Sequence, residues 1–450
     1  MTRSRESVDD VRAAAAWVVE RTLATRAPVD NFLVGALQRF DERDRALLRE
    51  IVLGTLRWLR RLDDIIERAA SRKLTEIDAG LVAILRVAAY QLFFLDRVPP
   101  HAVVNEAVEQ SRRSSHRGGT SFVNAVLRRI AREPTLSAWP IESGEPLARL
   151  AIEMSHPEVL VRRWVEQFGW ERASALLAAN NRPKPMHLLA FRDRGGRELL
   201  AEELIDEGIE VTPSRLSPVG LTVLQGNPLG TAAFRRGAFY VQDEASQAAA
   251  LLPPPAPGER VWDAAAAPGG KSFALLAVEP SVGIVASDAA AARLLTIRAN
   301  ARRLGLPLHL AAADAGSPPF ARAFDRVVVD LPCSGSGTLR KHPELKWRWS
   351  ESELARLAGQ AVRLLVGAAS GVRPGGILVA ITCSLEPEEN EGVAERFLRE
   401  RPAFSPRDFR AEIDPSLADS ILSPGLWRLP TGDDHDGFTV QVFARVGRGE

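Results

Sequence analysis

The fold is decided by the stretch Arg260-Val-Trp-Asp263-Ala-Ala-Ala-Ala-Pro268-Gly-Gly-Lys271. A short apolar run of strand length ends in Asp263, and the glycine pair then opens a helical segment. Strand-like runs recur downstream, and helical stretches such as 290–304 and 352–366 separate them. The strand candidates are 260–263, 283–288, 308–314, 324–330, 377–383 and 438–446. Strands that alternate with helices predict βαβ units, and therefore an α/β fold with a doubly wound parallel sheet.

Several of these predicted strands end in a side chain that can do chemistry. Asp288 ends the strand candidate after Asp263, and Asp314, Asp330 and Cys383 end later ones. Ligands of doubly wound sheets bind beyond the carboxyl ends of the strands, which makes these positions candidates for a binding site. Asp288 and Asp314 could instead be solvated caps of the helices that follow them.

The glycines of the first stretch suit close approach of a ligand. Gly269 and Gly270 lack a Cβ, and the N-terminus of the helix that they open favours an anionic group. A tight strand-to-helix turn with an incidental Lys271 is the alternative. The stretch is neither G-x-G-x-x-G nor a Walker loop, which weighs against a dehydrogenase and against an NTPase.

The chain has only two cysteines, which excludes a disulfide framework and a cysteine-rich metal site and favours a reducing, cytoplasmic setting. Cys333 lies in Asp330-Leu-Pro-Cys-Ser-Gly-Ser-Gly337, and Cys383 lies in Thr382-Cys-Ser384. A lone cysteine is usually a small buried hydrophobe. Because both cysteines follow neighbouring strand candidates at the ligand-binding edge, we expect them to be functional. A thiolate there suits covalent catalysis.

The N-terminal third reads as helical and is mildly basic. Helical patterns cover 44–68, 78–95, 102–112 and 121–131, and Ser7 with Asp10 predicts a capping box before the first helix. Residues 1–140 carry 23 Lys and Arg against 18 Asp and Glu, although the whole chain has a net charge of only +1. The apolar stretch 81–95 contains Arg86 and is too short to span a bilayer, so we expect a buried helix.

The composition and the positions of Pro and Gly residues predict three domains. An all-helical domain covers 1–135, and a linker rich in Pro and Gly follows it. A small α+β domain covers 149–235, and the α/β domain covers 236–450. Neither a signal peptide nor a transit peptide is expected at the N-terminus.

The motifs of the last domain resemble those of the RNA 5-methylcytosine methyltransferases. They are, in order, Tyr240-Val-Gln-Asp-Glu-Ala-Ser-Gln247, the 263–271 stretch, the Cys333 and Cys383 segments, Lys341-His-Pro-Glu-Leu-Lys-Trp347 and Asp436-Gly-Phe438. The resemblance implies a Rossmann-like domain that binds S-adenosylmethionine. It also implies that the enzyme methylates C5 of cytosine after a cysteine thiolate has added to C6, because C5 by itself is a poor nucleophile.

The resemblance further implies a role for each matching residue. Cys383 would be the nucleophile, Cys333 would assist product release, and Asp330 would contact the cofactor or the base. Asp288 would bind the ribose and Asp314 the adenine side of the cofactor. The methionine end would be held by Ala265, Ala266, Ala267, Pro268, Gly269, Gly270 and Lys271. Physical reasoning alone leaves the order of the two cysteines open, and DNA cytosine methyltransferases use the cysteine of the Pro-Cys motif as the nucleophile.

The helical region resembles a NusB-like RNA-binding domain. The matching segments are Arg57-Trp58, Pro99-x-His101-Ala-Val-Val-Asn105-Glu106 and Phe122-Val-Asn124-x-Val-Leu-Arg-Arg129. Together the domains are similar to the bacterial ribosomal small-subunit methyltransferase B family. That similarity implies 16S rRNA or a small-subunit assembly intermediate as partner. From the residues themselves we expect neither a membrane nor a metal ion as partner, and we expect a monomer.

The chain departs from the family pattern in its middle domain. The Arg-Val-Asn signature expected there is replaced by Leu188-Leu-Ala-Phe-Arg192. Two other functions stay open at this point. One is a non-catalytic RNA-binding or ribosome-assembly factor with the same fold. The other is an amino-methyltransferase acting on adenine, although that chemistry favours an [Asp/Asn]-Pro-Pro-aromatic loop and this chain has Asp330-Leu-Pro-Cys333.

Overall fold

The computed structural model describes residues 10–113 and 118–447, which form two compact units. The first unit comprises the chain up to Arg182 together with the segment Leu339–Trp349. The second comprises Pro183–Thr338 and the chain from Ser350 onward. In these described ranges no helix is long and apolar enough to cross a membrane.

The first unit is helical in its described residues, whereas the all-helical prediction covered only residues 1–135. Its helices are α1 (Val11–Thr25), α2 (Asp30–Leu37), α3 (Glu42–Arg57), α4 (Leu59–Ala70), α5 (Ala79–Phe94), α6 (Pro100–Arg113), α7 (Gly119–Arg132), α8 (Pro146–Glu153), α9 (Glu158–Phe168) and α10 (Trp170–Asn181). Buried apolar residues of α1 and α3–α7, such as Val18, Leu48, Leu85 and Leu127, form one core. Its apolar area removed from water is the main stabilising contribution.

Two details of the helical prediction are wrong or untested. The helix predicted over 44–68 is two helices, because Trp58 leaves helical geometry with φ −101° and ψ 14°. Its ring stacks on Phe94 with ring centroids 4.9 Å apart, so a tertiary contact outweighs the helical periodicity. Ser7 lies outside the described residues. Asp10 is the N-cap of α1, where its carboxylate accepts the backbone N–H of Arg12 at 2.9 Å.

The second unit begins with a four-stranded antiparallel sheet in the order β2-β3-β1-β4. Its strands are β1 (Met186–Ala190), β2 (Glu210–Pro213), β3 (Gly220–Gln225) and β4 (Phe239–Val241), and its helices are α11 (Gly196–Asp206) and α12 (Ala232–Arg235). Leu188, Leu204, Leu221 and Phe239 are buried between them. The alternate residues Leu189 and Phe191 instead enter the core of the larger sheet. Leu189 and Phe191 therefore serve packing within residues 188–192, the segment that departs from the family pattern.

The larger sheet has the central order β13-β9-β8-β5-β6-β7, and the five strands β5–β9 are parallel. Its strands are β5 (Arg260–Asp263), β6 (Gly283–Asp288), β7 (His309–Ala312), β8 (Phe324–Asp330), β9 (Val372–Thr382), β10 (Phe404–Pro406), β11 (Ile421–Ser423), β12 (Leu426–Leu429) and β13 (Phe438–Arg445). The remaining helices are α13 (Glu244–Ala250), α14 (Gly270–Val278), α15 (Ala291–Leu304), α16 (Leu345–Arg348, in the first unit), α17 (Glu351–Ala368), α18 (Glu391–Glu400) and α19 (Pro415–Ala418).

The predicted α/β fold is confirmed, with small corrections to the strands. β7 ends at Ala312, so Asp314 lies two residues beyond the strand that it was expected to end. The short strands β10, β11 and β12 were not predicted, because three or four residues carry too little periodicity to be recognised. The strand order reverses between β5 and β8, which is where ligands of such sheets bind.

Candidate active site

The two cysteines meet at the carboxyl ends of adjacent parallel strands. Cys333 follows β8 and Cys383 follows β9, and their sulfur atoms are 3.5 Å apart. Both thiols are free and partly buried. Sequence reasoning expected the cysteines at neighbouring strand ends, and the structure brings them into contact there.

The two thiols have opposite electrostatic surroundings. The hydrogen bond between the two thiols lowers the pKa of Cys383 against the effect of burial, and the Thr338 hydroxyl and Lys271 act in the same direction. The pKa of Cys333 is raised well above its ordinary value by the contact with Cys383 and by burial. Cys383 is therefore the better thiolate, and the thiolate is the nucleophilic form of cysteine.

Lys271 and Asp330 form an ion pair beside the cysteines. The Lys271 ammonium donates to Asp330 Oδ2 at 2.6 Å, and the lysine side chain is 12% exposed. Burial by itself would lower the pKa of Lys271, but Asp330, Asp263 and Cys383 together outweigh it and the pKa is raised. Lys271 lies in the first turn of α14 and Asp330 at the end of β8. The two residues are close because the strand order reverses between β5, which precedes α14, and β8.

The turn between β5 and α14 fits a ligand that brings hydrogen-bond donors. Asp263 is fully buried, and while its Oδ2 accepts the Ser272 hydroxyl at 2.7 Å, its Oδ1 has no hydrogen-bond partner in the described chain. Burial raises the pKa of Asp263 to about 6. Gly269 has φ +108°, and a Cβ there would lie 2.5 Å from the ring of Phe273. A buried acceptor without a partner is costly, so a bound cationic or N–H group would satisfy it.

Asp288 ends β6, and Asp314 follows β7, which is the edge strand beside β6. Asp288 is 5% exposed, and its Oδ1 accepts the backbone N–H of Ala290 at 2.9 Å. Asp314 accepts the N–H of Gly316 at 2.8 Å and pairs with Arg363 at 3.0 Å. The Arg363 hydrogen bond lowers the pKa of Asp314. Asp288 Oδ2 also lies 3.6 Å from Arg293, so both carboxylates have local partners. They differ in burial, because the Asp314 side chain is 42% exposed.

A backbone clamp fixes the Cys333 loop against Cys383. The N–H of Gly337 donates to Cys383 O at 2.9 Å, and the N–H of Gly437 donates to Gly337 O at 2.7 Å. A Cβ on Gly337 would lie 2.4 Å from Gly437 O, so the approach needs glycine there. The adjacent Asp436 is held in turn by Lys184.

The chain is similar to known ribosomal RNA methyltransferases. A family model described as 16S rRNA methyltransferase RsmB/F matches residues 249–443. The chain is 35% identical to the probable ribosomal RNA small subunit methyltransferase B of Bacillus subtilis, over 98% of this chain and 100% of that protein. It is 34% identical to ribosomal RNA small subunit methyltransferase B of Pseudomonas syringae pv. tomato, over 97% of each.

The chain belongs to the ribosomal RNA small subunit methyltransferase B family. Its first unit matches the NusB family over residues 10–132, and an RsmF/B-like ferredoxin-like domain matches 156–229. A solved methyltransferase homolog from Pyrococcus horikoshii is 25% identical, with a TM-score of 0.56 over 67% of this chain and 100% of that one. Both the resemblance and the domain types inferred from the motifs are confirmed.

Sequence reasoning missed several residues that shape the site of this family member. Glu389 is buried behind the Cys333 loop, and Lys184 donates to Asp243 at 2.7 Å as well as to Asp436. The acidic run Glu386-Pro-Glu-Glu389 after the second cysteine was the available signal for Glu389. No sequence signal marked Lys184, because it is a single lysine in a Pro-rich turn.

The segment Lys341–Trp347, which the motif comparison singled out, belongs to the first unit. Lys346 is fully buried there, and its ammonium donates to Arg57 O at 3.1 Å, Ser155 O at 3.2 Å and Asn181 Oδ1 at 2.8 Å. Burial lowers the pKa of Lys346 well below its ordinary value. This motif residue therefore serves packing in the helical unit. No group of three His, Cys, Asp or Glu side chains in residues 10–113 and 118–447 could hold a metal ion.

Proposed function

We propose that the protein transfers a methyl group from S-adenosylmethionine to C5 of a cytosine in 16S rRNA through a covalent bond between Cys383 and C6. The observation that carries the proposal is the 3.5 Å contact of Cys383 with Cys333 beside the Lys271–Asp330 ion pair. The names of the relatives from Bacillus subtilis and Pseudomonas syringae supply the substrate class, small-subunit rRNA.

We assign the cofactor to the carboxyl ends of β5, β6, β7 and β8. The residues that would hold it are Ala265, Ala266, Ala267, Pro268, Gly269, Gly270, Lys271, Asp288, Asp314 and Asp330. The unpartnered Oδ1 of Asp263 supports this assignment, because it can accept from the ammonium group of the methionine end. When bound, S-adenosylmethionine supplies the electrophilic methyl group that C5 of the activated ring accepts.

The side chains of the site would then divide the remaining work. The Cys383 thiolate would form the bond to C6, and the electron pair of the C5–C6 double bond would shift to C5, which becomes nucleophilic. Asp330, held by Lys271, stabilises the adduct near N3 of the base. After C5 is methylated, its proton passes to water, the double bond re-forms, and the Cys383–C6 bond breaks. The Cys333 thiol hydrogen-bonds the leaving sulfur and so assists release. The target base must be unpaired or flipped to reach the thiolate.

A tritium-release assay tests the position of the new methyl group. Transcribed 16S rRNA that carries tritium at C5 of cytosine is incubated with the protein and S-adenosylmethionine. We expect one tritium released for each methyl group transferred, and 5-methylcytidine in the digested RNA. Methyl transfer without tritium release would place the methyl group on another atom. Cofactor binding without transfer to naked rRNA or to an assembly intermediate would favour a non-catalytic assembly factor.

Three further properties belong to the same proposal. We propose that the protein acts as a monomer, in the cytoplasm, and without a metal ion. The three domains would divide as 1–135 for RNA binding, 149–235 for RNA recognition and 236–450 for catalysis. Size-exclusion chromatography with light scattering tests the first of these properties directly.

A further inference from the structure

A buried carboxylate holds the loop that carries Cys333. Glu389 lies in the 3₁₀ turn Pro387–Glu389, and the residue is fully buried. One carboxylate oxygen accepts the backbone N–H of Ser334 at 2.7 Å, and the other accepts the Ser334 hydroxyl, also at 2.7 Å. Ser334 directly follows Cys333 in the chain. The carboxylate therefore grips the cysteine loop at its next residue with both oxygens.

Burial of the charged Glu389 carboxylate has a cost in desolvation free energy. No ion pair includes Glu389 in the part of the chain that the structure describes. Burial raises the pKa of Glu389 to about 7, although the hydroxyls of Ser384 and Ser334 favour its charged form. Glu386, also buried, adds a like charge nearby. A glutamine could fill the same space without this penalty, so packing alone gives no reason for the charge.

The charges around the two thiols are unequal. Cys333 faces Glu389 and Asp330, and both carboxylates disfavour its thiolate. Cys383 also faces Asp330, but Lys271 and the hydroxyl of Thr338 favour its thiolate. Glu389 is the one of these charged groups that hydrogen-bonds to Ser334, the residue next to Cys333.

We propose that Glu389 is a positioning residue that keeps Cys333 a neutral hydrogen-bond donor and so assigns the thiolate to Cys383. The carboxylate fixes the Cys333 loop through Ser334 and places negative charge beside that thiol, which then donates to Cys383 across 3.5 Å. This inference deepens the proposed covalent mechanism and rests on it for its meaning. Its test measures the thiols alone, so it can fail or succeed independently of any RNA activity.

The test is the pH dependence of alkylation at each cysteine. The full-length protein is treated briefly with iodoacetamide between pH 6 and 10, and peptide mass spectrometry quantifies the label on Cys333 and Cys383. In the wild type we expect Cys383 to react at lower pH than Cys333. In Glu389→Gln we expect the Cys333 profile to move down by about one pH unit, a roughly tenfold gain in thiolate at a given pH.

Glu388→Gln is the matched control, because Glu388 is the exposed neighbour in the same turn. It removes the same charge from the sequence, and we expect both thiol profiles to stay at their wild-type positions. Equal Cys333 profiles in the two variants would overturn the proposal. If Glu389→Gln does not fold, the order in which the two wild-type cysteines are alkylated as the pH rises becomes the test. Alkylation of Cys333 at lower pH than Cys383 would also overturn the proposal.

Discussion

Replacing Gly337 by alanine should disable the site by separating the two cysteine loops. The added Cβ would lie 2.4 Å from Gly437 O and 2.8 Å from its carbonyl carbon, distances that backbone atoms do not tolerate. The loop must therefore move away from Gly437. That movement strains the hydrogen bonds from Gly437 N to Gly337 O and from Gly337 N to Cys383 O, which are 2.7 and 2.9 Å long.

The cost can be estimated from these contacts. Overpacking of a filled site costs about 1–3 kcal/mol, and a weakened hydrogen bond costs about 1 kcal/mol. We expect a total near 3 kcal/mol, which lowers the melting temperature of a unit of this size by roughly 6–12 °C. The rate of methyl transfer should fall by more than the loss of folded protein explains, because a shift of about 1 Å at catalytic groups can cost roughly 100-fold in rate.

Differential scanning calorimetry and single-turnover methyl transfer measure the two effects. Gly359→Ala is the control, because Gly359 lies inside α17 and a Cβ there meets nothing within 4 Å. That substitution should stabilise the unit by about 0.5–1 kcal/mol and leave methyl transfer unchanged. If Gly337→Ala melts and reacts like Gly359→Ala, the backbone clamp does not hold the cysteines.

Two further substitutions test the charges of the two units. Lys271→Met should reduce methyl transfer roughly 100-fold in single-turnover assays, because Asp330 loses the cation that holds it; the exposed Lys341→Met should have no such effect. Glu344 is 3% exposed and burial raises its pKa to about 7, above the unfolded value, so its charged form costs stability as pH rises through 7. Glu344→Gln should nearly match wild type in urea unfolding at pH 4, below the pKa of the unfolded carboxyl, and exceed it by up to about 3 kcal/mol at pH 8. An equal difference at both pH values would contradict the assigned ionisation.

Long strands and helices of the catalytic domain could be predicted because their local patterns agree with their final environment. The runs that end at Asp263, Asp288 and Asp330 are buried parallel strands bounded by turn residues, and the structure keeps these ends unchanged. The break at Trp58 could not be predicted, because the stacking partner Phe94 lies on another helix. Periodicity reports which face of a segment is buried, and it carries no information on a distant ring.

The candidate site divides in the same way. The placement of Cys333 and Cys383 followed from strand ends and could be inferred before any coordinates. The contribution of Glu389 depends on a hydrogen bond to Ser334, 55 residues earlier in the chain, which no local pattern encodes. Lys184 reaches Asp436 across 252 residues for the same reason. Local sequence thus located the reactive groups, and the tertiary fold alone revealed what supports them.

Trapping the adduct tests most directly whether Cys383 bonds to the base and Cys333 assists its release. Wild type, Cys333→Ala and Cys383→Ala are incubated with S-adenosylmethionine and 16S rRNA, and each mixture is run on a denaturing gel. We predict that protein linked to RNA accumulates only with Cys333→Ala, because the bond to Cys383 forms and is not released. An adduct that accumulates only with Cys383→Ala would contradict the assignment and reverse the two roles.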